Sequence, residues 1–147
     1  MSYTVSQFAR ILDISIRTIH WYDQVGLLKP AYYGTNGYRY YQKDQVEKMQ
    51  AIILFKKIGF NLKDIKELLN FIIKNKLDTS TQKNQIAFFK QIGFNVNEIK
   101  ELLYSTKSSK ILMLTAHKKK LIEELNKTNE MIHKIDNMIH KLNTIKN

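Results

Sequence analysis

Between Ser15 and Tyr41 the chain reads SIRTIHWYDQVGLLKPAYYGTNGYRYY, and its polar chemistry falls into two clusters. Ser15, Arg17, Thr18, His20 and Tyr22 form the first; Tyr38, Arg39 and Tyr41 form the second. Guanidinium, imidazole and hydroxyl groups are suited to base edges and phosphate oxygens, and arginine makes bidentate contacts that lysine cannot. Only Arg10, Arg17 and Arg39 of the 24 basic residues are arginine, all within the first 41 positions, while the 21 lysines are spread along the chain. A formal charge of +11 and a pI near 9.7 fit a polyanionic partner and salt-dependent binding, although a lysine-rich composition alone would produce the same numbers.

Local signals place the clusters on a helix and a hairpin. Ser15 is a helix N-cap and Gly26 a left-handed stop. Pro30 and the Asn36-Gly37 pair punctuate two short aromatic strands, AYY and YRYY, with Asn-Gly expected to take the positive φ angles of a tight hairpin turn. Upstream, Thr4 and Gln7 form a capping-box pattern for a short helix ending near Leu12. The order is helix, turn, helix, wing, in which a recognition helix fits the major groove and the hairpin lies along the phosphates. Trp21, Tyr22, Tyr40 and Tyr41 alternate so that some belong to the core, with Trp21 and Tyr40 as readily core as contact.

TVSQFARILDISIRTIHWYDQVGLLKP followed by GYRYY resembles the MerR family of bacterial transcription regulators, and the RTIHWYD stretch is most similar to its TipA-like branch. The resemblance covers residues 2–70 and resumes in the C-terminal helix. Asp13 departs from the glycine usual in the family, but Asp tolerates the left-handed conformation and the turn is expected to survive. What the resemblance implies is a cytoplasmic homodimer on double-stranded promoter DNA, working with RNA polymerase by distorting an overlong promoter spacer. Arg17 and His20 would reach base edges or adjacent phosphates, and Tyr38, Arg39 and Tyr41 would hold the backbone.

A repeat follows at a spacing of 34 residues: FKKIGFNLKDIKELL (Phe55–Leu69) recurs as FKQIGFNVNEIKELL (Phe89–Leu103), identical at 11 of 15 positions. Each copy reads as helix, glycine stop (Gly59, Gly93), asparagine cap (Asn61, Asn95) and helix, with Asp64 or Glu98 at the carboxylate position of a capping box. Leu62, Ile65, Leu68 and Leu69 share a helical face, as do Val96, Ile99, Leu102 and Leu103. In the resembled family this hairpin occurs once, as a second wing; the first copy keeps the family's distance from GYRYY, which gives Lys66 a phosphate contact by analogy. The second copy is either a stacking hairpin or a sensory element with Phe88, Phe89, Ile92 and Phe94 lining an effector pocket, and pattern alone favours stacking. Asn75–Lys83 and Ser105–Lys110 read as polar linkers.

From Ser109 to Asn143 a heptad places Leu114, Leu121, Thr128, Ile135 and Leu142 at one seam position and Lys118, Leu125, Ile132 and Ile139 at the other, in a run without Gly or Pro. A long helix with one narrow apolar stripe needs a partner; the resemblance implies an antiparallel coiled coil with a second copy, while the sequence alone leaves a parallel pairing open. The dimerisation set is Leu114, Leu121, Leu125, Ile132, Ile135, Ile139 and Leu142, with Thr128 and Lys118 weakening the seam locally. The expected fold is mainly α: a winged helix-turn-helix head with a small β-hairpin and first helical hairpin (2–70), a linker with the duplicated hairpin (71–107), and a long dimerisation helix (108–147).

The absence of cysteine removes disulfides, iron–sulfur clusters and thiolate metal sites. His133 and His140 are two turns apart, too distant to share one ion, so no metal and no cofactor are expected. There is no Gly-rich phosphate loop, nucleophile elbow or other enzyme signature. No signal peptide or membrane-length apolar run is present, which points to the cytoplasm and away from a membrane partner. The rival reading is an architectural, excisionase-like winged-helix DNA binder without promoter regulation, against which the C-terminal heptads count. A coiled-coil interaction protein with an incidental basic head is more remote still.

Overall fold

Thr4 Oγ1 accepts from the Gln7 N–H while Gln7 Oε1 accepts from the Thr4 N–H, and this reciprocal cap starts α1 (Val5–Leu12). The computed structural model describes residues 1–145; the last two positions of the 108–147 segment lie outside the described residues. Asp13 ends α1 at φ 53°, ψ 47°, so the short carboxylate side chain does accept the left-handed turn. Ser15 then caps α2 (Ile16–Gln24) by accepting from the Thr18 N–H, and Gly26 at φ +76° carries the chain off its end.

A three-stranded antiparallel sheet follows, with β1 (Tyr3–Thr4), β2 (Tyr32–Tyr33) and β3 (Arg39–Tyr41) in the order β1-β3-β2. Tyr3 sits opposite Tyr41 and Tyr33 opposite Arg39. The wing is thus tied to the residues that begin α1, a pairing too short to leave an alternating pattern in the sequence. Its turn also differs from expectation. Gly37 takes φ +77° but Asn36 does not join it; the Gly37 N–H bonds Gly34 O, and Asn36 Oδ1 accepts from the Tyr38 N–H. The connection is a three-residue loop with glycine at its left-handed position rather than a two-residue Asn-Gly turn. Gly34 is required for space, since a Cβ there would lie 2.6 Å from the Tyr40 ring.

Both repeat copies fold as helical hairpins: α3 (Lys43–Lys57) with α4 (Leu62–Lys74), and α5 (Thr79–Gln91) with α6 (Val96–Tyr104). The same positions are buried in each, Phe55, Phe60, Ile65, Leu68 and Leu69 matching Phe89, Phe94, Ile99, Leu102 and Leu103. Phe55 meets Phe60 edge-on at 5.6 Å, and Phe89 meets Phe94 likewise at 6.1 Å. The caps differ. Asn95 and Glu98 exchange both bonds of a capping box, whereas Asp64, one methylene shorter than Glu98, gives only its N–H to Asn61 among the described residues. α5 returns onto α3 and also touches α4, so the duplicate extends the core that α3 already shares with α1. The described polar linkers are shorter than expected. Asp78 accepts from the Thr81 N–H and starts α5 at Thr79, leaving Asn75–Asp78 as the turn, with Lys76 at φ +52°.

The chain divides into two compact units, Met1–Leu103 and the segment from Tyr104 onward. The second is dominated by α7 (Lys107–Thr144), an uninterrupted helix capped by Thr106, whose side chain accepts from the Ser109 N–H. Helix begins inside the expected STKSSK linker because Thr106 supplies the cap there. No residue of α7 is buried within the single chain.

Candidate nucleic-acid interface

Capping fixes where α2 starts, and 3.6-residue periodicity then decides what it shows to solvent. Ile19, Tyr22 and Asp23 turn inward; Arg17 is exposed and has no ion-pair partner among the described residues. Ser15 and Thr18 bond each other through their hydroxyls at 2.8 Å while Ser15 also caps the helix, so both candidates serve the helix start. His20 is half-buried in a groove of about 440 Å³ bounded by Thr4, Val5 and Ser6 at the start of α1 and by Gly37, Tyr38 and Arg39 of the wing. Tyr38 projects from the wing at 69% exposure. The groove thus brings His20, Tyr38 and Arg39 together, lying as it does between the recognition-type helix and the wing.

Tyr22 and Tyr41, expected at the interface, are core residues instead. Tyr41 is fully buried and stacks on Phe8 with centroids 4.2 Å apart, and Tyr22 is buried at the base of α2. Burial pushes the Tyr22 phenol up from its ordinary value and the Tyr41 phenol up to about 12, because neither can ionise cheaply away from water. Trp21 is exposed and Tyr40 half-buried, stacked on Tyr32 at 5.2 Å. Alternation showed that aromatics were divided between core and surface; stacking on Phe8 and the packing beneath α2 decided which.

Sequence reasoning missed Asp23. It is the one buried charged residue among the described residues, sits in the last turn of α2, and uses both oxygens: Oδ1 accepts from Lys29 Nζ at 2.9 Å and Oδ2 from Arg39 Nε at 3.0 Å. Lys29 Nζ also donates to the Asp23 carbonyl oxygen at 2.9 Å. Burial by itself would raise the Asp23 pKa, but the hydrogen bonds from Lys29 and Arg39 outweigh it and hold the carboxyl below its ordinary range. Donating that hydrogen bond to Asp23 raises the Arg39 pKa, and the Arg39 guanidinium lies 5.8 Å from the centre of the Tyr33 ring. Its one sequence signal was a carboxylate lying within the arginine-bearing stretch.

Lys66, exposed on α4, lies beside the end of α2, its ammonium 3.9 Å from where a Cβ on Gly26 would be. Its counterpart Lys100 is half-buried and bonds Glu67 of the first copy at 3.2 Å. Equivalent lysines therefore have different surroundings. The four residues considered for an effector pocket do not form one wall: Phe89 and Phe94 are buried against each other, Ile92 is half-buried, and Phe88 is 53% exposed. In α7, Leu121, Leu125, Ile132, Ile135, Ile139 and Leu142 are exposed in the single chain and Leu114 is half-buried. The Thr128 hydroxyl donates to the Glu124 carbonyl of its own helix at 2.9 Å.

The family described as MerR HTH family regulatory protein matches residues 3–72, the span that contains α1, α2, the wing, α3 and most of α4. Residues 3–72 are a MerR-family helix-turn-helix domain. Over 70 residues, 48% of this chain, the domain is 47% identical to the HTH-type transcriptional activator mta of Bacillus subtilis and 36% identical to the HTH-type transcriptional activator TipA of Streptomyces coelicolor. The chain spans 27% and 28% of the length of these two curated relatives, so the greater part of each lies outside the match. Among solved structures, MtaN, the N-terminus of the Bacillus subtilis multidrug transporter activator, is 30% identical, with 93% of this chain and 97% of that one covered at a TM-score of 0.36. It is the sequence match that carries the assignment. These relatives bear the names of transcription regulators rather than enzymes, and no described helix is long and apolar enough to cross a membrane.

Proposed function

We propose that this protein is a cytoplasmic, sequence-specific DNA-binding regulator of transcription that acts as a homodimer and distorts promoter DNA. The observation that carries the reading is the exposed face of α2, with Arg17 free of ion-pair partners among the described residues and His20 opening into a groove shared with the wing, inside a MerR-type domain. A helix of this kind enters the major groove while the wing takes the phosphates, and Lys66 beside α2 adds a backbone contact from the first helical hairpin. Dimerisation through α7 supplies two heads for a palindromic site, and RNA polymerase is the partner that a bent promoter serves. The apolar stripe of α7 favours this reading over an architectural DNA binder, which needs no such helix.

The decisive experiment compares binding to palindromic duplexes, selected by the protein from a randomised pool, with binding to random duplex, and then assays transcription from promoters carrying the selected sites. Selective binding with altered transcription is expected. Equal affinity for all duplexes would overturn sequence-specific recognition, and selective bending without any effect on transcription would favour the architectural alternative.

A further inference from the structure

We infer that Asp23 is a positioning residue for DNA binding: its buried carboxylate holds Arg39 of the wing side-on, by Nε, so that the guanidinium is fixed relative to α2 and its two terminal amino groups remain for a backbone phosphate. The inference rests on the DNA-binding reading above. Its physical basis is the division of the guanidinium between two partners. A guanidinium has five N–H donors in a rigid plane, and one bond through Nε leaves the outer fork intact. Arg39 borders the groove shared with His20 and Tyr38, and its ring contact is with Tyr33 on the adjacent strand, so the side chain is held between a carboxylate in α2 and an aromatic face in β2. Lys29 occupies the other carboxylate oxygen and the Asp23 carbonyl, which fixes the orientation of the carboxylate itself. Loop, recognition helix and wing therefore meet at one side chain.

A carboxylate close to a DNA-binding surface repels phosphate, so its removal would strengthen binding if bulk charge were all that mattered. Positioning predicts the opposite sign. The test uses the full chain and a duplex that the wild-type protein has selected from a randomised pool, with affinity measured across a salt series. Asp23→Asn should weaken binding about tenfold and lower the slope of log K against log salt by about one, the signature of one lost phosphate contact. In an Arg39→Gln background, Asp23→Asn should then change neither affinity nor slope. Tighter binding by Asp23→Asn, or an equal loss in both backgrounds, would overturn the inference. If Asp23→Asn does not fold by circular dichroism, Arg39→Lys decides, because lysine keeps the charge but cannot bond Asp23 and present a fork together; a lowered slope is expected, and wild-type affinity and slope would overturn the proposal. Failure of the wild-type protein to prefer any duplex would instead bring down the DNA-binding reading itself.

Discussion

Arg17 and Tyr41 were both interface candidates in the sequence, and burial separates them. Arg17 presents its guanidinium to solvent from α2, so Arg17→Ala should cost about 1–3 kcal/mol of operator affinity with circular dichroism unchanged. Unaltered affinity would remove Arg17 from the interface. Tyr41 lies under Phe8, and its hydroxyl is buried without a hydrogen-bond partner among the described residues. Removing that hydroxyl takes away a desolvated group rather than a contact, so Tyr41→Phe should leave both DNA affinity and neutral-pH stability undiminished; a loss of affinity would return Tyr41 to the interface. Tyr41 also sets an alkaline limit. An unfolded phenol ionises near 10 and the folded one only near 12, so below the first value the group contributes nothing to pH dependence, and between the two the unfolded chain alone gains by losing its proton. Urea midpoints measured from about pH 9 to about 12 should fall in the wild type and fall less in Tyr41→Phe. Identical alkaline profiles would show that Tyr41 ionises as freely in the folded protein.

Helices α4 and α6 are near-copies whose matching lysines face different neighbours. Lys66→Ala should lower operator affinity and reduce the salt slope by about one. Lys100→Ala should leave both alone and cost at most about 1 kcal/mol of stability, because its bond to Glu67 is partly solvated. Equal losses of affinity in the two variants would place both hairpins on DNA. At this scale much was legible from the chain. The Thr4–Gln7 box, the Ser15 and Asn61 caps, the left-handed turn at Asp13 and the glycine stops are each written in a few adjacent residues, and adjacent residues decide them. What was not legible depended on distant partners. Strand β1 is two residues of no distinctive pattern, made a strand by β3, and the inward turn of Tyr22 and Asp23 was settled by the packing beneath α2. Asp78 was a local signal overlooked: its cap opens α5 inside a stretch whose polarity looked like a linker.

For the whole molecule, the exposed stripe on α7 is the feature that a second copy would cover. Substituting both Ile132 and Ile139 by Asp would place carboxylates in that seam, where desolvation costs several kcal/mol per ion, so the dimer should dissociate and operator affinity should fall with it. A sedimentation mass that stays dimeric would show that α7 is not the principal interface. Because α7 runs unbroken for 38 residues, about 57 Å at 1.5 Å per residue, it is also a rod on which charge is unevenly distributed. Residues 107–120 hold five lysines and no carboxylate, whereas residues 121–144 hold four carboxylates and three lysines. Side by side in the same direction, two such rods set one lysine-rich end against the other; head to tail, each lysine-rich end lies along the partner's carboxylates. For two copies paired along α7, this electrical polarity would favour the antiparallel arrangement, most at low ionic strength and less as salt is added.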